Sequence, residues 1–189
     1  MLSYLAAALP LGIGPAARLL ALQCALRMSE DAQVRVPAGL LRGAGLGRNP
    51  GPWRELEQTW WLRRVPVGPE PVRGVVVARL LDHTLLTQSP ARPDRRRAAD
   101  WALRAAQPAR ASACEPLLQL AAVWLAASTA SEAGEGLAEA DRMAHDCGIA
   151  ASALANVLGQ LTAAGLLEAW SVCPNSGDLC WTPAGVGNG

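Results

Sequence analysis

The 189-residue chain is 51% hydrophobic, enough to build globular cores, with seven Trp, one Tyr and no Phe to supply aromatic bulk. Its net charge of +1 hides a division. Every basic side chain is Arg: residues 1–113 hold 16 of the 17 against 8 acids, and residues 114–189 hold one against 8, so the two stretches carry +8 and −7. That asymmetry is expected of two units with different partners, the basic one facing a polyanion. An Arg-only, Ala/Gly/Pro-rich repertoire is also that of a GC-rich, bacterial coding sequence. Five Cys, an odd number, argue against a disulfide framework. The uncharged run 2–17 lacks a basic flank and is broken by Pro10, Gly12, Gly14 and Pro15, unlike a signal peptide. The run 116–131 falls short of the ~20 residues that span a bilayer. A cytoplasmic, nucleoid-associated protein is expected.

In chain order, Pro15 suits the first helical position, and Leu19, Leu22 and Leu26 recur at helical spacing. Pro15–Met28 therefore reads as a helix with one buried stripe. Val34-Arg35-Val36 reads as a short strand, and Pro37 opens a second helix through Leu40, Leu41 and Ala44, with Leu46 as a core anchor. Pro52 starts a third helix whose Trp53, Leu56 and Trp60 form a stripe toward the core. Arg63–Val67 and Val72–Val77 flank a turn at Gly68-Pro69-Glu70-Pro71 and read as a hairpin. Residues 89–113 read as a connector, with a helix capped by Asp94, running through Arg95-Arg96-Arg97 to Ala106 and ended by Pro108. The three arginines suit either a phosphate clamp or the wet side of a linker helix.

The second half repeats the scheme. Glu115–Ser128, Leu137–Asp146 and Ala150–Ala164 read as helices, with Gly165 as a C′ glycine. Trp170–Cys173 and Leu179–Trp181 flank a polar turn.

The stretch Leu137–Leu167, with its Gly148-Ile149 turn, its Leu154/Val157/Leu161 spacing and its closing Gly165-Leu166-Leu167, resembles the helix-turn-helix core of bacterial winged-helix regulators. The first half resembles the same pattern, with Gly45-Leu46 as the turn and Trp60-Trp61-Leu62 closing the helix. The resemblance implies a mainly α fold with small β-hairpins (α+β): two tandem winged helix-turn-helix domains, residues 1–88 and 114–189, joined by a helical linker over 89–113. It also implies that the third helix of a unit enters the major groove while the wing touches the backbone.

On that basis Arg54 and Gln58 are expected near base edges, Arg42, Arg48 and Asn49 at the turn between helices, and Arg63, Arg64 and Arg73 along the wing. Arg suits guanine O6/N7 and phosphates. The competing reading is a solvated face, which Glu55 and Glu57 on the same helix favour. The second unit's third helix has no base; Leu154, Asn156 and Gln160 are expected to meet a partner, most simply a second copy. His145, Cys147, Cys173 and Cys180 lack a zinc-knuckle spacing and read as small fillers, with Cys173 and Cys180 as hairpin neighbours. No catalytic constellation, phosphate-binding glycine loop, metal or cofactor is expected. The function implied is sequence-specific binding of double-stranded DNA, as a transcriptional regulator or in plasmid or phage replication, partition or transfer. The alternative is a tandem winged-helix adaptor that docks proteins, of the chromosome-segregation accessory type.

Overall fold

A computed structural model describes residues 1–47, 49–65, 74–111, 115–129 and 134–184. It is an α+β fold with two small three-stranded antiparallel sheets. The first half contributes α1 (Leu2–Ala8), α2 (Pro15–Arg27), β1 (Gln33–Pro37), α3 (Ala38–Gly43), α4 (Gly51–Gln58), β2 (Leu62–Arg64) and β3 (Val75–Leu80). Helices α5 (His83–Gln88), α6 (Arg92–Ala105) and α7 (Gln107–Ala111) lead to the second half. There α8 (Pro116–Ser128), β4 (Gly136–Glu139), α9 (Ala140–Cys147), α10 (Leu154–Ala163), β5 (Leu167–Val172) and β6 (Asp178–Pro183) follow, with a short 3-10 turn before α10. The sheets run β1-β3-β2 and β4-β6-β5, so each half closes with its last strand between the other two.

The repetition extends to backbone conformation. Both α3 and α9 end at a glycine in the left-handed region, Gly45 at φ +71° and Gly148 at φ +70°. Helices α4 and α10 end the same way, at Trp60 (φ +56°) and Gly165 (φ +70°). In each of the latter turns the next amide reaches back to the last full turn, Trp61 N to Leu56 O at 3.1 Å and Leu166 N to Leu161 O at 2.9 Å. These are the bonds of a glycine-type C-cap. One of the four turns carries Trp where glycine is the cheap residue.

This turn corrects the expected core stripe. Trp53 and Leu56 are buried, but α4 stops at Gln58 and the reversal throws Trp60 outward, 75% exposed, while Trp61 takes the inward place at 4%. Two further expectations change. Leu137–Glu139, read as the start of a helix, is the strand β4, because Leu137 and Ala138 pair with Cys180 and Leu179 of β6. Asp94 does not cap α6; the cap residue is Ala91, and Asp94 sits in the first turn, where it pairs with Arg97. Residues 66–73, the expected hairpin turn, lie outside the described residues.

The two halves share one apolar core. Helix α2 packs against α4, β1, α6 and α8, so it is buried on every side from Ala17 to Leu26 rather than along one stripe. Helix α8 is buried likewise from Leu118 to Leu125. At this junction the Arg18 side chain lies inside the protein, 2% exposed, donating from Nε to Ile13 O (3.1 Å) and from a terminal nitrogen to Pro10 O (3.3 Å). Burial lowers its pKa, opposed by the nearby Cys147 and Asp146. Gly148 is pressed against it: a Cβ there would lie 2.2 Å from Arg18 Nε. Asp146, also buried, accepts from Trp124 Nε1 at 2.9 Å and from Ser3 Oγ at 3.5 Å, tying α1 to α9. Among the described residues no helix is long and apolar enough to cross a membrane.

Candidate nucleic-acid interface

Helix α4 is amphipathic by necessity, since Pro52, Trp53 and Leu56 are buried in the shared core. The remaining positions fall on three arcs. Glu55 leans to one side, where its carboxylate accepts from the Gly14 amide at 2.9 Å. That puts a negative charge at the N-terminus of α2, which the helix dipole favours. Glu57 leans to the other side and takes Arg64 in a bidentate pair, with contacts of 2.9 Å to Nε and 2.6 Å to a terminal nitrogen. The bonds from Arg64 hold the Glu57 carboxyl below its ordinary pKa range, outweighing partial burial. Between these arcs Arg54 and Gln58, one helical turn apart, project outward and are exposed.

The acids that argued against a polyanion-facing helix are thus both engaged elsewhere. What α4 offers to solvent is a guanidinium and a carboxamide, the two groups that pair bidentately with base edges.

The other expected residues divide. Arg42 on α3 is exposed and makes no ion pair among the described residues. Asn49 is exposed, and its Oδ1 accepts from the Gly51 amide at 2.8 Å, so this side chain fastens the start of α4. Arg63 is exposed on the outer face of the first sheet. Arg64 is committed to Glu57 rather than free along the strand. Arg48 and Arg73 lie outside the described residues. Sequence reasoning missed Arg79, which stands directly opposite Arg63 across the β2–β3 pair and is also exposed. Like charges in directly opposed positions are unfavourable. The signal was available: with Val77 and Arg79 two apart, a strand continuing to Leu80 puts both on one face.

The second unit is built on the same turn but presents no guanidinium on its α10. Counting back from the left-handed residues, Arg54 and Gln58 correspond to Gly159 and Ala163 of α10, both exposed. Asn156 and Gln160 are exposed as expected, whereas Leu154 is 4% exposed and belongs to the core. Leu154 is therefore corrected from a partner contact to a packing residue. The outer face of the second sheet carries Leu137, Cys180 and Ser171, paired across the strands, and Glu139 opposite Asp178. Cys180 sits opposite Ser171, not Cys173, which corrects the pairing of these cysteines as hairpin neighbours. Among the described residues no cluster of three His, Cys, Asp or Glu is gathered as a metal would need.

The charge division does not yield a single cationic surface. Arg18 and Arg95 are buried, and Arg27, Arg64 and Arg97 pair with acids. Among the described residues, exposed arginines without an ion pair include Arg42 and Arg54 on α3–α4, Arg35, Arg63 and Arg79 on one face of the first sheet, and Arg92 and Arg96 on α6. No protein-family model matches the chain, and no curated protein or solved structure is significantly similar to it.

Proposed function

We propose that the chain is a sequence-specific double-stranded-DNA-binding protein of two tandem winged-helix units, acting as a transcriptional regulator. Its first unit contacts DNA through α4, and its second serves association with a protein partner, most simply another copy. The observation that carries this reading is the fate of Glu55 and Glu57. With both carboxylates already bonded within the chain, Arg54 and Gln58 are left as the uncommitted polar groups of α4. Arg42, Arg63 and Arg79 would then add phosphate contacts, which supply most of the affinity for any sequence. The repeated strand order and helix-ending turns support the tandem arrangement. Support for the division of labour comes from α10, which offers Gly159 and Ala163 at the matching positions and no base.

The test is fluorescence anisotropy with a random duplex at low and moderate salt, followed by selection of a preferred site. Steep salt dependence is expected. Arg54→Ala should relax discrimination by about 1–3 kcal/mol, while Arg63→Ala should weaken all sequences alike and reduce the salt slope by about 1. Absence of duplex binding at low salt overturns the reading and leaves the protein-docking adaptor. Sedimentation of the whole chain tests the second unit: Asn156→Arg with Gln160→Arg should shift an oligomer to monomer.

A further inference from the structure

Between the edge of the first sheet and helix α6 runs a cleft of about 790 Å³. Strand β1 is an edge strand, and its outward residues Gln33 and Arg35 form one wall. The first two turns of α6 form the other, with Arg92 and Arg96 one turn apart on the same face. The floor is the end of α2, where Arg27 reaches Asp100 at 3.9 Å and Gln23 Oε1 at 2.6 Å. Arg27 and Asp100 therefore offset one another. What remains is three guanidinium groups, Arg35, Arg92 and Arg96, against the exposed carboxylate of Asp31, with Asp100 still largely exposed beside Arg27. None of the three has a hydrogen-bond or ion-pair partner among the described residues.

The run Arg95-Arg96-Arg97 explains how this wall is held. Arg95 is 7% exposed and points inward, donating to Met28 O at 2.9 Å and to Pro90 O, so α6 is pinned to the end of α2. No carboxylate pairs with it among the described residues, which leaves a fixed positive charge in the wall. Arg97 turns to solvent and binds Asp94, removing the acid of the first turn from the cleft. Arg96 alone of the three enters the cleft. The positive end of a 14-residue helix adds to the same field.

Three unpartnered like charges converging on one concavity are unfavourable until an anion neutralises them. Guanidinium forks match phosphate oxygens bidentately. The volume lies within the range of small-molecule pockets, about 300–1,000 Å³. We infer that this cleft is a binding site for a compact polyphosphate borne by a small organic molecule, gripped by Arg35 across from Arg92 and Arg96. The site includes no residue of α4, although its Arg35 stands on the same sheet face as Arg63 and Arg79.

The experiment is calorimetric titration of the full chain with inorganic tripolyphosphate at low salt, then with a nucleoside triphosphate and a short single-stranded oligonucleotide. Saturable binding of tripolyphosphate is expected, weakened at least tenfold by Arg35→Gln with Arg96→Gln and unchanged by Arg104→Gln or Arg54→Ala. Circular dichroism of each variant checks that the fold is retained. No saturable binding, or equal loss in Arg104→Gln, overturns the site. Tighter cleft-dependent binding of the oligonucleotide than of the nucleoside triphosphate overturns the small-molecule assignment and gives the cleft to a strand backbone.

Discussion

Helices α4 and α10 occupy corresponding positions in the two units and close with the same left-handed turn, yet only α4 turns a guanidinium outward. Inward, Pro52, Trp53 and Leu56 match Val157, Leu158 and Leu161, all buried. Outward, Arg54 and Gln58 face water where the second unit has Gly159 and Ala163. The sheets diverge in the same sense, with Arg63 opposite Arg79 on one outer face and Leu137 opposite Cys180 on the other. Packing has kept the inner face of each unit apolar while the outer faces took different chemistry. The shared topology by itself therefore says nothing about what either unit binds.

The sharpest way to break the comparison lies in the turns after α3 and α9. Both glycines have positive φ, but a Cβ at Gly45 meets nothing within 4 Å, whereas one at Gly148 runs into Arg18. Gly45→Ala should cost about 1 kcal/mol. Gly148→Ala should cost about 3–4 kcal/mol, since it adds a displaced buried side chain to the backbone strain. Urea unfolding measures both, and equal losses would remove the claim that the units meet through Arg18. On α10, Leu154→Ala should destabilise by about 2–3 kcal/mol by leaving a cavity. Asn156→Ala should stay within about 0.5 kcal/mol, and a reversal of that order would return Leu154 to the surface.

Exchanging the odd turn residue gives a smaller effect of opposite sign. Trp60→Gly should stabilise by up to about 1 kcal/mol by relieving a left-handed non-glycine residue, while Gly165→Ala should destabilise by a similar amount. If Trp60→Gly is destabilising instead, its indole makes a contact that its exposure does not reveal.

Alkaline pH provides the last comparison. Burial, together with the bond to Asp82, raises the Tyr4 hydroxyl to about 12, and burial raises the Cys24 and Cys147 thiols to about 12. Each group holds its proton more tightly folded than unfolded, so its contribution is complete below its ordinary pKa and disappears as pH rises toward 12. Stability should therefore begin to fall near pH 9 as the thiols titrate, and more steeply from pH 10 as Tyr4 joins them. Tyr4→Phe should remove only the part that begins at pH 10, which a pH series of thermal melts resolves.

Much of the fold was legible in the sequence because local signals agreed with their surroundings. Pro15 and Pro52 mark helix starts, Val34 and Val36 alternate into the core, and Gly148 and Gly165 end helices as their spacing implies. Several of the failures share a cause: the decisive partner lay far along the chain. Leu137-Ala138-Glu139 has helix-forming residues and becomes a strand only through its pairing with β6. Helix α1 carries no charge to mark its outer face, where Ser3, Ala7 and Ala8 are exposed. At the candidate interface the residue types were visible, but not their commitments. Nothing near Glu55 announces Gly14, 41 positions away. Nor does the Arg95-Arg96-Arg97 run reveal that its members point to the interior, the cleft and an acid in turn.

Because α2 serves as a wall for both units, the angle between α4 and α10 is fixed when the chain folds. Neither unit can pivot without opening the interior along Leu19, Leu20, Leu120 and Val123. Fluorophores attached at Arg54 and Asn156 should thus report one unchanging separation, with or without a bound anion. A chain built this way transmits the arrival of a ligand as a displacement of the whole body, and any spacing it imposes on two bound objects is a constant of the molecule.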